Sequence, residues 1–216
     1  MEKTVEIDFV SDVACPWCAV GLGSLEQAIK NLEGQVKVDI RFQPFELNAH
    51  MPKGGQDVVE HLTQKYGISA EQVEVNQKNI RERAAAVGFT FHPEGRGRVY
   101  NTFDCHRLLH WALHEVGASA QQRLKKELLT TYFTLAISLD DQQNLLDAVA
   151  RAELDVSRAK VMLDSDLFAA EVREAEKYYT SLGIHSVPSI IFNQKHLIQG
   201  GQSVETFEQA ILQLAQ

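Results

Sequence analysis

Apolar and polar residues alternate near the start of the chain, over residues 5–11 and again over residues 36–42. An alternation with a period of two is typical of strands that bury one face. Between these segments, apolar residues recur at helical spacing over residues 25–32, and Gly34 stands where a left-handed residue would end the helix. Residues 5–42 are therefore predicted to form a strand, a helix and a second strand.

The C-terminal end of the chain carries a second set of short apolar runs. Residues 189–192 and 196–199 flank the polar segment 193–195, a pattern that is typical of a β-hairpin. After Ser203 the apolar residues return to helical spacing, which predicts a last helix with a serine at its N-cap. This end of the chain is therefore predicted to form two strands and a helix.

The middle of the chain, roughly residues 50–182, has the period of helices. Ser69 with Gln72, and Ser119 with Gln122, fit the capping boxes that open helices. The glycines that stand where such helices would stop are Gly88 and Gly117. This block is therefore predicted to be nearly all α-helical.

The order of these elements predicts an α/β protein with a thioredoxin fold. In such a fold a β-α-β half and a β-β-α half would form one sheet, with a large all-helical domain inserted between them. We place the thioredoxin-like domain at residues 1–50 and 183–216 and the inserted helical domain at residues 51–182. Within the insert, the Gly- and Pro-containing loop 89–98 is predicted to be mobile and to border a binding surface.

Composition and charge narrow the classes of partner. The 216 residues carry a formal charge of −8, and the basic residues are scattered among acidic ones, so nucleic acid is not expected as a partner. No apolar run approaches the roughly 18 residues that would span a bilayer, and the first residues do not resemble a secretory leader. We therefore expect a cytoplasmic protein that does not bind membranes.

The chemistry is concentrated in Cys15, Pro16, Trp17 and Cys18, which stand between the first predicted strand and the first predicted helix. Cys15 would lie at the helix N-terminus, where unpaired N–H groups favour a thiolate, so its pKa is predicted to fall below the usual value, chiefly because of the helix end. Pro16 suits the first helical turn, and Trp17 would offer an apolar docking surface. Cys18 would resolve the mixed disulfide that forms when Cys15 attacks a substrate.

Other interpretations of the cysteines and histidines are weaker. A zinc site would need a second close pair of ligands, and two inert structural cysteines would not need this strand-to-helix junction. Cys105 is expected to be a small buried residue rather than a third redox thiol. His106, His110 and His114 would line one helix face, but helical histidine stripes are more often packed or solvated, so no metal site is expected.

Val187 and Pro188 precede the third main strand and form the second predicted element of the site. In a thioredoxin-like layout, a proline at this place faces the cysteine pair. We predict a cis peptide bond before Pro188, well above the base rate for such bonds. The exposed Val187 backbone could then pair with an extended substrate, so Pro16, Trp17, Val187 and Pro188 are assigned to redox tuning and substrate docking.

Five spaced motifs carry a resemblance that spans almost the whole chain. They are Asp12 with Cys15-Pro16-Trp17-Cys18 and Gly21; Phe42-Gln43-Pro44-Phe45 with Leu47-Asn48; Asn101-Thr102 with His106-Arg107-Leu108; Val187-Pro188; and Gly200-Gly201-Gln202. Together they resemble the FrnE-like branch of the DsbA family of thioredoxin-fold oxidoreductases. The resemblance implies a redox-active Cys15–Cys18 pair, a cis-Pro188, an inserted helical domain, no metal or organic cofactor, and a cytoplasmic bacterial protein. Two residues depart from the family pattern, Cys105 and Ala49.

The function predicted from these features is thiol–disulfide exchange with protein or small-molecule thiols. In a reducing compartment a reductase or isomerase is favoured over a net oxidant, and glutathione is a candidate redox co-substrate. The alternative is a glutathione-dependent enzyme related to kappa-class transferases or 2-hydroxychromene-2-carboxylate isomerases, although those relatives typically lack a second cysteine such as Cys18. A non-catalytic chaperone or binding module is a third class. The chain is expected to be a monomer or a homodimer.

Overall fold

The computed structural model describes residues 4–215, which contain a main sheet, a second small sheet and the helices that pack on them. In chain order the strands are β1 (Thr4–Ser11), β2 (Lys37–Pro44), β3 (Gln56–Asp57), β4 (Arg98–Val99), β5 (Ser189–Phe192) and β6 (His196–Gln199). The helices are α1 (Pro16–Asn31), α2 (Val58–Tyr66), α3 (Ala70–Ala86), α4 (Phe103–Trp111), α5 (Ala118–Leu129), α6 (Gln142–Arg151), α7 (Val156–Leu163), α8 (Ala169–Ser181) and α9 (Val204–Leu214). Helices α4 and α5 continue into π-helical turns, Ala112–Val116 and Thr130–Thr134.

The main sheet has the strand order β2-β1-β5-β6. Strand β1 runs parallel to β2 and antiparallel to β5, and β5 pairs with β6 as the predicted hairpin. Phe9 lies opposite Phe42 on one side and Ile190 on the other, so the two ends of the chain meet at β1. The predicted fold, a thioredoxin sheet completed across a long insertion, is confirmed.

One hydrophobic core extends from the sheet into the insertion. Its buried members include residues of β1, α1 and β5 together with residues of α4, α5 and α6. The predicted domain limits, 1–50 with 183–216 and 51–182, stay a prediction, and residues 1–3 and 216 lie outside the described residues. Because apolar side chains from both parts share this core, the insertion is packed onto the sheet along β2.

Two glutamines of α5 cover the outer edge of β2, which is an edge strand of the main sheet. The buried Gln121 side chain accepts from the Phe42 amide and donates to the Phe42 carbonyl, both at 2.8 Å. Gln122 donates to the Ile40 carbonyl at 3.3 Å. Edge strands leave backbone groups unpaired, and here side-chain amides satisfy them.

The predicted capping box of Ser119 and Gln122 is wrong, because the Gln122 side chain bonds to the edge of β2 instead. Helix α5 begins two residues earlier than a Ser119 cap would place it, with Gly117 at its N-cap, and the Gln122 side chain points to β2 rather than back to the helix start. The Ser119 hydroxyl instead accepts a hydrogen bond from Arg123. The other predicted box, Ser69 with Gln72, is formed at the start of α3.

The insertion is not entirely helical, which corrects the sequence prediction. Strands β3 and β4 form a two-residue antiparallel ladder, and the Arg98 side chain donates to the carbonyls of Gly54 and Gly55. Gly55 has a φ of +65°, and a Cβ atom there would lie 2.2 Å from the Val99 carbonyl oxygen. A ladder this short has no alternating pattern to detect, because its position depends on that close backbone approach.

Replacing Gln121 should destabilise the protein more than replacing its neighbour. We expect Gln121→Ala to lower the free energy of unfolding by about 3 kcal/mol, because two buried backbone groups lose their partners at about 1–3 kcal/mol each. The half-buried Gln122 makes one longer bond, so Gln122→Ala is the control and should cost less than about 1 kcal/mol. Urea unfolding followed by circular dichroism measures both. Equal effects of the two changes would contradict this account of the β2 edge.

Candidate active site

The two cysteines lie at the junction of β1 and α1, as the sequence predicts. Cys15 is the N-cap residue of α1 with an extended backbone, and Pro16 occupies the first helical turn. The Cys15 amide donates to the Asp12 carbonyl at 3.3 Å, and the Cys18 amide donates to the Cys15 carbonyl at 3.1 Å. Both cysteines are free thiols, with Cys15 4% exposed and Cys18 fully buried. Both thiols are therefore buried, and of the two only Cys15 lines a cleft.

The pKa values of the two thiols are driven apart. The pKa of Cys15 is lowered, first because the Cys18 thiol donates a hydrogen bond to its sulfur, and then because the Cys18 and Trp17 amides also point at it; burial and the nearby Asp12 charge oppose this. Burial raises the pKa of Cys18 well above its usual value. The lowered Cys15 pKa agrees with the prediction, but the helix end is not its chief cause, because the Cys18 thiol contributes more.

Val187 and Pro188 lie against the cysteine pair. The Cys15 Sγ atom donates to the Val187 carbonyl oxygen at 3.7 Å, and the Val187–Pro188 peptide bond is cis. Helix α1 approaches this segment closely, because a Cβ atom on Gly21 would lie 3.3 Å from Pro188 Cγ and 3.2 Å from Gly201 Cα. The structure thus brings all six sequence-predicted site residues to one place: Cys15, Pro16, Trp17, Cys18, Val187 and Pro188.

A buried carboxylate supports the loop that carries the cysteines. Asp12 accepts from the amides of Ala14 at 3.1 Å and Leu47 at 2.7 Å, and His106 Nε2 lies 3.5 Å from its Oδ1. Burial opposes ionisation of Asp12, but the hydrogen bond and the charge of His106 outweigh it and lower the pKa of the carboxyl. Asp12 therefore ties the start of α1 to the segment after β2 and to α4.

The three histidines of the predicted stripe do not come together. His106 is buried and faces Asp12 and the Phe45 carbonyl, whereas the rings of His110 and His114 lie 4.1 Å apart. Burial, and then the neighbouring His114, lower the pKa of His110 to about 4. Within residues 4–215, no group of three or more His, Cys, Asp or Glu side chains is placed to hold a metal ion.

Two buried groups of the insertion interact electrostatically with each other, and one of them, Lys125, also interacts with Cys18. Cys105 of α4 is buried, as predicted, and burial raises the pKa of its thiol. Lys125 of α5 is only 1% exposed, and its charge interacts with that of Cys18. Sequence reasoning missed Lys125. The signal was its position four residues after Gln121 and three before Leu128, which places it on the buried face of α5.

A cleft of about 990 Å³ opens beside Cys15. Trp17, 37% exposed, and Val187 form its rim with Cys15, and the loop 89–98 borders it through Phe91, Gly95 and Arg96. That loop is anchored, since the His92 amide donates to the Phe133 carbonyl at 2.7 Å. The basic side chains that line the cleft are Lys65, Arg81, Arg83 and Arg96, with His61 and His185.

The acidic residue in this lining is already neutralised. Glu46 is paired with Arg173 and accepts a hydrogen bond from Asn101. Arg83 lies over the Trp17 ring, with its guanidinium carbon 5.6 Å from the ring centroid, so one of these positive charges is held against Trp17. A chain with a net charge of −8 therefore has a cationic cleft beside Cys15.

Comparison with known proteins agrees with this fold. Residues 6–212 match the family model described as a DSBA-like thioredoxin domain. The crystal structure of a probable DsbA oxidoreductase from Streptomyces coelicolor is similar, with 31% identity and a TM-score of 0.88 over 97% of this chain and 89% of that chain. No helix within residues 4–215 is long and apolar enough to cross a membrane.

Two more distant structures share the fold. A 2-hydroxychromene-2-carboxylate isomerase is 15% identical, with a TM-score of 0.69 over 97% of this chain and 95% of that chain. The cytosolic disulfide reductase DsbM from Pseudomonas aeruginosa, determined with glutathione, is 14% identical, with a TM-score of 0.67 over 98% of this chain and 100% of that chain. At these identities the likeness is one of fold.

A pair of Cys18 variants should separate the effect of the Cys18 thiol on the pKa of Cys15 from the effect of the helix end. We expect the pKa of Cys15 to rise in Cys18→Ala, which removes the donor, and to rise less in Cys18→Ser, which keeps a hydroxyl donor. The ultraviolet absorbance of the thiolate, followed against pH, measures this, with Cys105→Ala as a control for the third thiol. Superimposable titrations for the two variants and the wild type would assign the lowered pKa to the backbone alone.

Proposed function

We propose, because this chain belongs to the family of DSBA-like thioredoxin domains, that it is a thiol–disulfide oxidoreductase that acts as a reductase or isomerase. The observation that carries the proposal is the pair formed by Cys15, with its lowered pKa at the cleft, and the fully buried Cys18. The finer assignment to the FrnE-like branch rests on the five motifs of the sequence. A cytoplasmic location is proposed with it.

In the proposed reaction the Cys15 thiolate attacks one sulfur of a substrate disulfide. The bond between the two substrate sulfurs breaks, one substrate thiolate leaves, and a mixed disulfide joins Cys15 to the other sulfur. Cys18, after losing its proton, attacks the Cys15 sulfur and releases the second substrate thiolate. Two electrons have then passed to the substrate, and the protein holds a Cys15–Cys18 disulfide that external thiols such as glutathione reduce again.

The Val187 backbone is the proposed docking edge for the substrate. Its carbonyl accepts from the Cys15 thiol at 3.7 Å, and Val187 lines the cleft with Trp17. An extended peptide along this edge would place a cysteine against Cys15 while Trp17 contacts its apolar side chains.

The cationic cleft favours anionic thiols and disulfides as substrates. Glutathione carries carboxylates at both ends, and Lys65, Arg81 and Arg83 are placed around the cleft to meet such groups. A structural neighbour of the same fold is a disulfide reductase determined with glutathione, which supports glutathione as the proposed co-substrate.

A second candidate is a glutathione-dependent isomerase or transferase. The fold likeness to a 2-hydroxychromene-2-carboxylate isomerase and the cleft beside a helix N-terminus favour it. Cys18 argues against it, because a thiol beneath Cys15 would displace glutathione from any mixed disulfide. The third class, a non-catalytic chaperone or binding module, would not need two thiols with divergent pKa values.

Substitution of the cysteines tests the reaction class. Cys15→Ser should abolish glutathione-coupled reduction of insulin, while Cys105→Ala should leave the rate within about twofold, because Cys105 is buried away from the cleft. Cys18→Ser should accumulate mixed disulfides, which mass spectrometry of the non-reduced protein identifies. Retention of insulin reduction in Cys15→Ser would refute the proposal, and isomerase or conjugation activity that survives Cys18→Ser would favour the second candidate.

The equilibrium of the pair with glutathione tests the proposed direction. Mixtures of reduced and oxidised glutathione, read through Trp17 fluorescence, give the reduction potential. We expect a value nearer to thioredoxin, about −270 mV, than to the oxidant DsbA, about −120 mV. A potential on the oxidant side of protein disulfide isomerase, about −180 mV, would overturn the reductase assignment.

Charge substitutions test the proposed substrate class. Replacing both Arg81 and Arg83 by glutamine should lower the second-order rate constant with which oxidised glutathione oxidises the dithiol form of the protein by about tenfold, because each lost contact to a carboxylate is worth roughly 1 kcal/mol or less at an exposed site. The rate constant for oxidation by the neutral 2-hydroxyethyl disulfide should change by less than about twofold. Lys78→Gln, on the same helix but outside the cleft lining, is the control. Equal losses with both disulfides would contradict charge recognition.

A further inference from the structure

Arg96 lines the cleft and carries a positive charge that no acidic side chain of the described residues neutralises. Its Nε atom is buried and has no hydrogen-bond partner within residues 4–215, and the ion pairs found there do not include Arg96. Glu94, two residues earlier, is exposed and lies outside the cleft lining. Buried N–H groups are nearly always paired in proteins, so an unpaired one points to a missing partner.

Two aromatic rings hold the Arg96 side chain in place. Its guanidinium carbon lies 5.3 Å from the ring centroid of Tyr132 and 5.2 Å from that of Phe133. Both rings belong to the π-helical turn Thr130–Thr134, and π-helical turns are frequent at functional sites. Phe91 of the cleft lining stacks on Phe133, with the centroids 4.6 Å apart. An arginine held over aromatic rings in this way is pre-organised to bind a carboxylate or a phosphate.

The loop that carries Arg96 is fixed to the same π-helical turn. The Thr134 hydroxyl donates to the Thr90 carbonyl at 2.6 Å, and the Tyr132 hydroxyl donates to the Arg98 carbonyl at 2.9 Å. These bonds lie on either side of Arg96 in the loop. The position of the guanidinium is therefore set by the fold and does not depend on an acidic partner within residues 4–215.

A second arginine reaches this loop from α3. Gly95 has a φ of +73°, and a Cβ atom there would lie 3.1 Å from Gln77 Oε1 and 3.9 Å from Arg81 Nη1. Because Gly95 has no side chain, Arg81 can lie beside the residue that precedes Arg96. Arg81 also lines the cleft and is likewise absent from the ion pairs found within residues 4–215. Neighbouring positive charges repel each other, and a bound anion would offset that repulsion.

The charge of Arg96 also acts on His61 of α2. Burial, and then the charges of Lys65 and Arg96, lower the pKa of His61. The Lys65 amine donates to neutral oxygens, the Leu47 carbonyl at 2.9 Å and the Asn48 side chain at 2.8 Å. The positive charges on α2, α3 and the loop 89–98 are therefore uncompensated on this side of the cleft.

The walls of the same cleft are partly apolar. The apolar side chains among its lining residues include Leu62, Ile80, Phe91 and Phe133. The cleft volume of about 990 Å³ is at the upper end of the range of roughly 300–1,000 Å³ that is usual for small-molecule sites. A ligand that matches both the charges and the walls has an anionic group on an apolar body.

We propose that Arg81 and Arg96 form a binding subsite for an oxyanion, a carboxylate or a phosphate, that is carried on an apolar body. The identity of the occupant rests on the proposed function, since it is then a small disulfide or thiol whose sulfur reacts at Cys15. The planar guanidinium groups donate charge-assisted hydrogen bonds to the oxyanion. Arg96 is thus a residue that selects the substrate, and apolar organic acids are the substrate class.

Probes that cannot exchange thiols test the subsite on the wild-type protein. 2-Naphthoate carries a carboxylate on an apolar body, and 2-naphthamide is an uncharged molecule of nearly the same shape. In isothermal titration calorimetry we expect 2-naphthoate to bind about tenfold more tightly or better, the usual effect of a charge-assisted hydrogen bond. Equal affinities, or no binding of 2-naphthoate, would overturn the proposal.

A third probe, 2-naphthyl phosphate, distinguishes the two sources of the oxyanion. Tighter binding of 2-naphthyl phosphate than of 2-naphthoate supports the subsite with a phosphate as its ligand. The opposite order supports the subsite with a carboxylate as its ligand.

Variants of Arg96 test its part in the subsite. Arg96→Met keeps an apolar stem over the rings, and we expect it to weaken 2-naphthoate binding about tenfold and to leave 2-naphthamide binding within about twofold. Arg96→Lys keeps the charge without the planar fork and should give an intermediate loss. Lys78→Met is the matched control, because it removes an exposed positive charge of α3 outside the cleft lining. Wild-type affinity for 2-naphthoate in Arg96→Met would overturn the role of Arg96.

Two aromatic disulfides connect the subsite with the thiol chemistry. The Cys15 thiolate attacks one sulfur of 5,5′-dithiobis-(2-nitrobenzoate), the bond between the two sulfurs breaks, and a coloured thiolate leaves while the other half stays on Cys15. This reagent carries carboxylates, whereas 4,4′-dithiodipyridine is uncharged at neutral pH. In Arg96→Met the ratio of the two rate constants should fall about tenfold, and the ratio cancels any change in the Cys15 thiolate itself.

The two reagents also separate the possible failures. An equal change of both rate constants in Arg96→Met would overturn the substrate inference. A lack of reaction of Cys15 with either reagent in the wild-type protein would instead refute the proposed function.

Discussion

The burial of Cys18 directly beneath Cys15 is the constraint from which the chemistry of the site follows. A single turn of α1 separates the two sulfurs, but Cys15 borders the cleft and Cys18 lies in the core. Burial raises the pKa of Cys18, so this thiol keeps its proton and can donate a hydrogen bond to the Cys15 sulfur. That hydrogen bond stabilises the Cys15 thiolate and lowers the pKa of Cys15. In the proposed reaction, the attacking and resolving roles therefore follow from depth in the protein.

This arrangement requires the two ends of the chain to meet closely. Helix α1 can lie against the Val187–Pro188 segment because Gly21 and Gly201 leave room for backbone contact, and a side chain at Gly201 would lie 3.1 Å from the Trp17 carbonyl oxygen. Strand β1 pairs in parallel with β2 and antiparallel with β5. Because α1 follows β1 and the Val187–Pro188 segment precedes β5, this pairing also brings the helix and the segment together. The site is therefore assembled by sheet formation, across 172 residues of sequence between Cys15 and Val187.

The parts that could be predicted from sequence are those with local signals. Alternation predicts β1 and β2, two short apolar runs around a polar segment predict β5 and β6, and the Cys-Pro-Trp-Cys segment at a strand-to-helix junction predicts the dithiol. The parts that were missed depend on contacts between distant elements. The short β3–β4 ladder depends on a close backbone approach at Gly55, and the Gln122 amide is drawn from a helix cap to the edge of β2. The buried state of Lys125 is equally non-local, because a lysine on a helix is usually solvated.

The insertion contributes to the reactive centre as well as to the surface around it. Helix α4 places His106 beside Asp12, and α5 buries Lys125 where its charge interacts with that of Cys18, whereas α2, α3 and the loop 89–98 supply the cationic wall of the cleft. A change in the insertion can therefore act on the cleft charge through one set of elements and on the thiols through another. Because α5 is also hydrogen-bonded to the edge of β2, Lys125 is held by the same contacts that seal the sheet. The environment of the thiols and the stability of the sheet are coupled through this one helix, while the proposed substrate recognition rests on other elements.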